Sequence, residues 1–338
     1  MKIKINSKLT ISEKNRPLLI AEVSANHSGS KKKFLQHIIQ ANKSGADLVK
    51  IQTYEPNDMI INKNFKIKRG LWKNKNLWKL YNEAKTPFEW HFDAFSLAKK
   101  KGIELFSTPF SLRSFEFLKT FKPNIYKISS FEITDLNLIN HVARTKKPII
   151  ISTGLASEVE IKKAVNEVKK FHNKIVLLYC VSSYPTVEAE IDFSKIDRIK
   201  KITGINNVGF SDHTRGVLVP TLSLAHGVCA IEKHYKINKK TNSHDSRFSL
   251  SSEGFKQLKL NIEASYDVYK KSLTLEKKNS FFFRRSIYAI KNINKNDKFT
   301  KNNIACFRPF TGLCASKFKH ILGKRSPKSF KVGKVIKL

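Results

Sequence analysis

Residues 208–216 read V-G-F-S-D-H-T-R-G, and residues 229–235 read C-A-I-E-K-H-Y. Two short apolar runs, 207–210 and 228–231, each end in a polar cluster that carries a histidine. The first cluster is Ser211-Asp212-His213-Thr214 and the second is Glu232-Lys233-His234. Between them, residues 216–227 have the length of a helical crossover. If the two runs are neighbouring parallel strands, both histidines leave the same edge of the sheet. There they lie close enough to share a metal ion. Isolated histidines at strand ends are more often satisfied by ordinary hydrogen bonds, so the other strands must decide between the two readings.

The upstream sequence repeats the pattern. Apolar runs at 17–23, 47–53, 103–109, 124–130, 148–154 and 174–181 alternate with segments of helical periodicity, such as 31–44, 111–120 and 158–172. With the opening stretch supplying the seventh and eighth runs, this is the count of a (β/α)₈ TIM barrel, fold class α/β. Most runs end on their C-terminal side in residues that bind anions, sugars or metals. These are Glu22 and Asn26, Lys50 and Gln52, Ser107 and Thr108, Lys127, Ser130 and Glu132, Ser152, Ser182 and Tyr184, His213, and His234. Active sites of this fold sit at that face. Lysine and glutamate inside apolar strands are costly unless paired. A shared polar site explains so many of them better than separate structural ion pairs do.

Residues 242–250 form a polar loop past the eighth strand, and 253–271 the closing helix. The catalytic domain is expected over 1–275, a lysine-rich linker over 276–284, and a small β-rich domain over 285–338. In that last domain short strands are expected at 286–290, 298–300 and 332–338. Some fifty residues bury too little surface to be very stable alone.

Composition bounds the remaining choices. The 338 residues are 41% hydrophobic with 24 Phe, which fits a globular protein and not a disordered one. No apolar run approaches the roughly 18–20 residues of a membrane span. The first six residues lack the apolar core of a secretory signal. None of the four cysteines (Cys180, Cys229, Cys306, Cys314) stands in a C-x-x-C pair, so disulfides and a cysteine zinc site are not expected. A reducing cytoplasm fits. The formal net charge is +37, which admits three explanations: a biased nucleotide composition of the gene, a surface adapted to anionic small molecules, or nucleic-acid binding. The lysines are spread along the chain, and no zinc-finger spacing, arginine-rich arm or base-stacking signature supports the third.

These residues resemble the sialic acid synthase family, enzymes that condense phosphoenolpyruvate with an aminosugar to give a nonulosonic acid. The carrying segments are A-E-V-S-A-N-H-S-G (21–29), V-K-I-Q-T-Y (49–54), S-T-P-F (107–110), Y-K-I-S-S-F-E-I-T-D (126–135), S-T-G (152–154), C-V-S-S-Y-P-T (180–186), G-F-S-D-H-T-R-G (209–216) and I-E-K-H (231–234). The tail segments R-S-I-Y-A-I (285–290) and R-P-F-T-G-L (308–313) look like that family's SAF domain, an antifreeze-like β-clip. The matches are collinear over essentially the whole chain. The run D-S-R-F-S-L (245–250) looks like the pseudaminic acid branch of the family. Members acting on N-acetylmannosamine usually carry Asp-His there.

The resemblance implies roles. Lys127, Ser130, Ser152, Ser182 and Ser211 would hold the phosphate of phosphoenolpyruvate, and Lys50 its carboxylate or the reacting centre. The family more often has Asn where Ser182 stands. His213 and His234 would bind a divalent ion, Mn²⁺ before Mg²⁺ or Co²⁺, which would polarise the sugar aldehyde. Glu22 and Glu132 would stabilise the cation that develops at C2, and Glu132 would activate the attacking water. Asn26, Gln52, Tyr184, Asp245 and Phe248 would position a diacetamido-trideoxyhexose. Arg308 would reach the sugar from the small domain of the neighbouring subunit in a homodimer. Two departures stand out: Asn296-Asp297 replaces the usual Gly-Glu, and Ser24 stands where Gly is commoner.

Overall fold

The computed structural model describes residues 1–271 and 279–338, so the first three positions of the expected linker, 276–278, lie outside the described residues. The chain divides into two units, Met1–Lys270 and Lys271–Leu338. In the first unit each apolar run forms a parallel strand: Leu18–Glu22, Leu48–Thr53, Leu105–Pro109, Tyr126–Ile128, Ile149–Ser152, Ile175–Cys180, Val208–Asp212 and Ala230–His234. They pair in sequence order, and the eighth returns to the first, closing the barrel.

Period-2 alternation sorts each strand into two faces. Outward residues such as Leu19, Val49, Ile128, Ile151, Leu177 and Ile231 pack against the surrounding helices as the larger core. Inward residues near the strand N-termini, among them Leu18, Ile20, Leu48, Phe106, Ile150 and Val176, fill the barrel's lower interior. A two-stranded hairpin, Ile3–Lys4 with Thr10–Ile11, adds Ile3, Ile5 and Ile11 to that same cluster. It is tied beneath the sheet by Asn207 Nδ2 donating to Met1 O and Asn6 Nδ2 donating to Glu104. Above this layer the inward positions turn polar.

Local signals place the helices. Ser157 and Glu160 form a reciprocal capping box that starts helix Glu158–Lys169. Gly102 and Gly204, both left-handed, end helices Phe88–Lys101 and Ser194–Thr203. The crossover between the histidine strands is shorter than a full helix, with Leu218–Leu222 followed by a 3₁₀ turn, Ser223–His226.

The last two strands run further than their apolar residues do. The seventh extends through Asp212, and the eighth carries Glu232, Lys233 and His234 within it rather than beyond it. Pairing makes this possible. Glu232 faces inward, onto Lys50 and Lys127. Lys233 faces outward, where its ammonium meets Asp212 Oδ2 and the carbonyl of Thr214, fully buried.

In the second unit Ser286–Ala289 pairs antiparallel with Ile304–Phe307. Two of the expected strands, 298–300 and 332–338, are instead reduced to isolated bridges, Lys298 to Arg325 and Tyr288 to Val335. Both segments still bond through the backbone, Ile336 to Ile287 and Leu313, and Phe299 to Lys324 and Gly323, but not as continuous ladders. Asn296 takes a φ of 73°, the left-handed conformation that asparagine tolerates. The unit has its own core of Ile287, Ile293, Phe299, Ile304, Ile321 and Ile336.

The outer ion pair yields a stability prediction. Lys233→Met leaves the Asp212 carboxylate buried without its cation and should lower barrel stability by about 3–5 kcal/mol. Equilibrium urea unfolding checks this, and a loss below about 1 kcal/mol would contradict it.

Candidate active site

The polar inward residues open onto a cavity of about 810 Å³ at the C-terminal ends of the strands. Its floor is ionic. Lys50 Nζ lies 2.9 Å from both Glu22 Oε2 and Glu232 Oε1, and Lys127 Nζ lies 3.3 Å from Glu232 Oε1. Ser211 Oγ donates to the same Glu232 oxygen at 3.1 Å. Strand register sets His234 beside Glu22 and Glu22 beside Lys50, with Glu232 and Ser211 paired one inward position below.

Burial opposes every charge in this cluster, and the neighbours decide which survive. For Glu232 burial pushes the pKa up, but Lys127 and Lys50 outweigh it and hold the carboxylate well below its usual range. For Lys50 burial favours the neutral amine, but Glu22 and Glu232 keep the ammonium charged. Lys127 is less well compensated: burial brings it down to about 8, with Glu232 opposing the shift and Lys50 adding to it. Burial raises Glu22 to about 7 against the pull of Lys50. Two carboxylates against two lysines leave no surplus negative charge, and Lys127 has only part of one carboxylate oxygen to itself.

The sequence-predicted serines open onto the same cavity as Lys127. Ser130, Ser152, Ser182 and Ser211 all border the cavity, and Ser182 Oγ donates to Ser130 Oγ at 3.3 Å. Gly154 keeps this corner open, since a Cβ there would lie 2.5 Å from Ser182 Oγ and 2.6 Å from Cys180 Sγ. A buried cation that shares its cavity with several hydroxyl donors is suited to a tetrahedral anion.

The two histidines stand at one side of the cavity with ring centroids 5.5 Å apart. His213 Nδ1 donates to Val181 O at 2.9 Å, which leaves Nε2 unprotonated. Burial holds His213 down to about 4 and His234 well below its ordinary value, so both are neutral imidazoles. His234 Nδ1 is buried with no hydrogen-bond partner among the described residues, 3.7 Å from Asp245 Oδ2. Two neutral imidazoles with unspent nitrogens fit a divalent ion. No third His, Cys, Asp or Glu completes a ligand cluster with them among the described residues.

The remaining predicted residues divide. Gln52, Tyr184, Asp245 and Phe248 border the cavity, whereas Glu22 lies beneath its floor. Asn26 does not face it. That side chain donates to Tyr235 O and Ser249 Oγ and accepts from Ser243 Oγ, pinning the 241–250 loop to the first strand's exit. Glu132 sits on the loop after the fourth strand, outside the cavity lining, and accepts from Ser129 Oγ. Burial raises it to about 7. Ser24, at a φ of 43°, occupies the left-handed position where glycine costs nothing. Arg308 belongs to the second unit, where its Nε donates to Phe283 O and it borders a shallow pocket with Tyr288 and Phe307.

Two contributors escaped the sequence reading. Glu232, the hub of the floor, lies two residues before His234 and so on the same face, a signal that was available. The other is the insertion after the second strand, which supplies Phe65, Ile67, Arg69, Trp72 and Tyr81 to the cavity wall. Only its length and its tryptophans marked it.

Anion binding at Lys127 should depend on pH with a definite sign. The amine is charged below about 8, so affinity for sulfate, whose charge is constant there, should fall as pH rises past that value. Calorimetric titration of sulfate from pH 6.5 to 9.5 checks this. Lys127→Met should weaken binding at least tenfold and flatten the profile.

Comparison with known proteins agrees with this geometry. Residues 37–273 match the NeuB family and residues 284–338 the SAF domain. A pseudaminic acid synthase of Campylobacter jejuni is 40% identical over 326 residues, covering 94% of this chain and 95% of that protein. An N,N'-diacetyllegionaminic acid synthase of the same species is 33% identical, covering 95% and 99%. Among solved structures, the N-acetylneuraminic acid synthetase of Leptospira borgpetersenii superposes with a TM-score of 0.74 at 28% identity, covering 83% of this chain and 93% of that one. By the extent of these matches, the chain belongs to the NeuB family.

Proposed function

We propose that this chain is a pseudaminic acid synthase, condensing phosphoenolpyruvate with 2,4-diacetamido-2,4,6-trideoxy-L-altrose and releasing phosphate by C–O cleavage. One observation carries the reading: one cavity has a lysine- and serine-bearing ionic floor and an apolar aromatic wall, with two neutral histidines on the border between them. Phosphoenolpyruvate suits the floor, and a deoxygenated diacetamido sugar suits the wall. The higher identity to a pseudaminic than to a legionaminic acid synthase supports the same choice.

In this mechanism Lys127 and Ser130, Ser152, Ser182 and Ser211 hold the phosphate, while Lys50 faces the carboxylate. C3 of the enol attacks C1 of the open-chain sugar, forming the new C–C bond, and the aldehyde oxygen takes up a proton. Positive charge develops at C2, and the Glu22 carboxylate beneath the floor stabilises it. Water adds to C2 and gives up a proton. The C2–O bond to phosphate then breaks, the phosphate leaves with the electron pair, and the C2 hydroxyl proton departs as the ketone forms. Glu22 and Glu132, each raised to about 7, are matched to proton exchange at neutral pH. Glu132 must turn from Ser129 to take part. Gln52, Tyr184, Asp245 and Phe248 orient the sugar, and Asn26 acts through the loop it anchors. His213 and His234 are the residues to hold a divalent ion, Mn²⁺ in preference to Mg²⁺ or Co²⁺, which supplies Lewis acidity toward the aldehyde oxygen. The enzyme works in the cytoplasm as a homodimer, with Arg308 of the SAF domain contributing to the neighbouring site. No helix among the described residues is long and apolar enough to cross a membrane.

Phosphate release from phosphoenolpyruvate with manganese tests the substrate. The altrose-configured sugar should exceed N-acetylmannosamine in kcat/KM by at least tenfold, and equal turnover would overturn the assignment. His213→Ala and His234→Ala should each abolish turnover while leaving the circular dichroism spectrum unchanged. Activity retained in both would remove the histidines from the mechanism.

A further inference from the structure

Trp72 stands on the insertion after the second strand, far in sequence from every predicted site residue except Lys50 and Gln52. Its ring meets two of them in space. The centroid lies 6.0 Å from that of Tyr184 and 6.5 Å from that of Phe248, and Tyr184 and Phe248 are 5.3 Å apart, closing a triangle of rings. Each of the other two rings also touches a histidine, Tyr184 at 4.2 Å from His213 and Phe248 at 4.8 Å from His234. The rings therefore form a continuous apolar path that starts at the histidines and ends at Trp72. Phe65, Ile67 and Leu71 of the same insertion extend the apolar surface beside it.

We propose that Trp72 is a specificity-determining residue, which closes the aromatic wall over the sugar's C6 methyl and disfavours a hydroxyl there. The inference rests on the substrate reading above. A sugar whose aldehyde carbon lies at the histidines directs its far end along Tyr184 and Phe248. The last carbon of a six-carbon chain then faces the ring furthest from the histidines. A methyl group loses nothing by leaving water for that surface. A hydroxyl loses its hydration, and the ring faces offer it no comparable partner. Selection of this kind is bounded: apolar pockets discriminate against an added hydroxyl by about a hundredfold at most. The tryptophan thus tunes a preference, and it has no part in the bond-making steps.

The test compares two sugars that differ only at C6, the 2,4,6-trideoxy substrate and its 6-hydroxy counterpart 2,4-diacetamido-2,4-dideoxy-L-altrose. The readout is kcat/KM from phosphate release, with KM for phosphoenolpyruvate measured alongside. Wild-type enzyme should prefer the 6-deoxy sugar by about 10–100-fold. Trp72→Ala should reduce that ratio at least fivefold and leave KM for phosphoenolpyruvate within twofold of wild type. Trp72→Phe, which keeps an aromatic face, should retain most of the ratio. A purely structural role would lower both sugars alike, so an unchanged ratio in Trp72→Ala overturns the inference and leaves the substrate assignment standing. Wild-type enzyme without a 6-deoxy preference does the same. Wild-type enzyme that turns over N-acetylmannosamine but neither altrose-configured sugar overturns the substrate assignment and the inference with it. A Trp72→Ala protein that does not fold is recognised by its far-ultraviolet spectrum, and Trp72→His, tested in its place, is held to the same ratio criterion.

Discussion

Glu232 Oε1 accepts from Lys50, Lys127 and Ser211, three donors that arrive on three different strands. Glu22, from a fourth, also meets Lys50. None of these ions would survive in the barrel interior by itself, because the desolvation cost of a lone buried charge runs to several kcal/mol. Together they pair one another's charges, and the cluster ties together strands from across the barrel, although Glu232 Oε2 is left without a hydrogen-bond partner among the described residues. The apolar layer beneath, from Leu18 to Val176, leaves it no contact with water from below. The floor of the cavity is therefore a structural element and a binding surface at once. The satisfaction is uneven, however. Lys127 is the member with the weakest claim on a counter-ion, and it shares the cavity with the four serines. An incoming anion completes a pairing that the protein leaves unfinished.

Above the floor the cavity changes character within one side chain's length. His213 and His234 face Lys50 and Glu232 below, and they touch Tyr184 and Phe248 to the side. Their own neutrality follows from this position, since burial among rings penalises an imidazolium that the nearby lysines already disfavour. The same burial that depresses the histidines raises Glu22 and Glu132. One environment thus yields neutral imidazoles for ligation and carboxyls near 7 for proton transfer, with no separate device for either.

Much of this was legible before any coordinates. The barrel followed from the spacing of apolar runs, and the polar strand ends followed from period-2 alternation, which put Lys50 and Gln52 on the inner face together. What alternation could not show is how far a charged residue extends a strand. Glu232 and Lys233 looked like the end of the eighth strand because they are charged, yet each has a buried partner and the strand continues. Those partners are remote in sequence, so only the closed sheet reveals them. Asn26 illustrates the opposite error. Its residue type and position suit a ligand, but its hydrogen-bonding capacity is taken up by the 241–250 loop. The insertion carrying Trp72 has helical periodicity only over Leu77–Ala84, beyond Trp72 itself, and its contribution depends on folding back over the barrel mouth. In the small domain, segments that pair through scattered backbone bonds and not a continuous ladder are too irregular for a pattern to specify them.

The hairpin of Ile3–Lys4 and Thr10–Ile11 makes the barrel a vessel with a stopper. With the lower end filled by isoleucine, nothing passes through, and the cavity has a single mouth. Depth then becomes sequence in time. On the proposed assignment the molecule bound at the lysine floor must enter before the sugar that covers it. After the bond is made, inorganic phosphate lies underneath the nine-carbon acid, and it stays behind until the larger product has left.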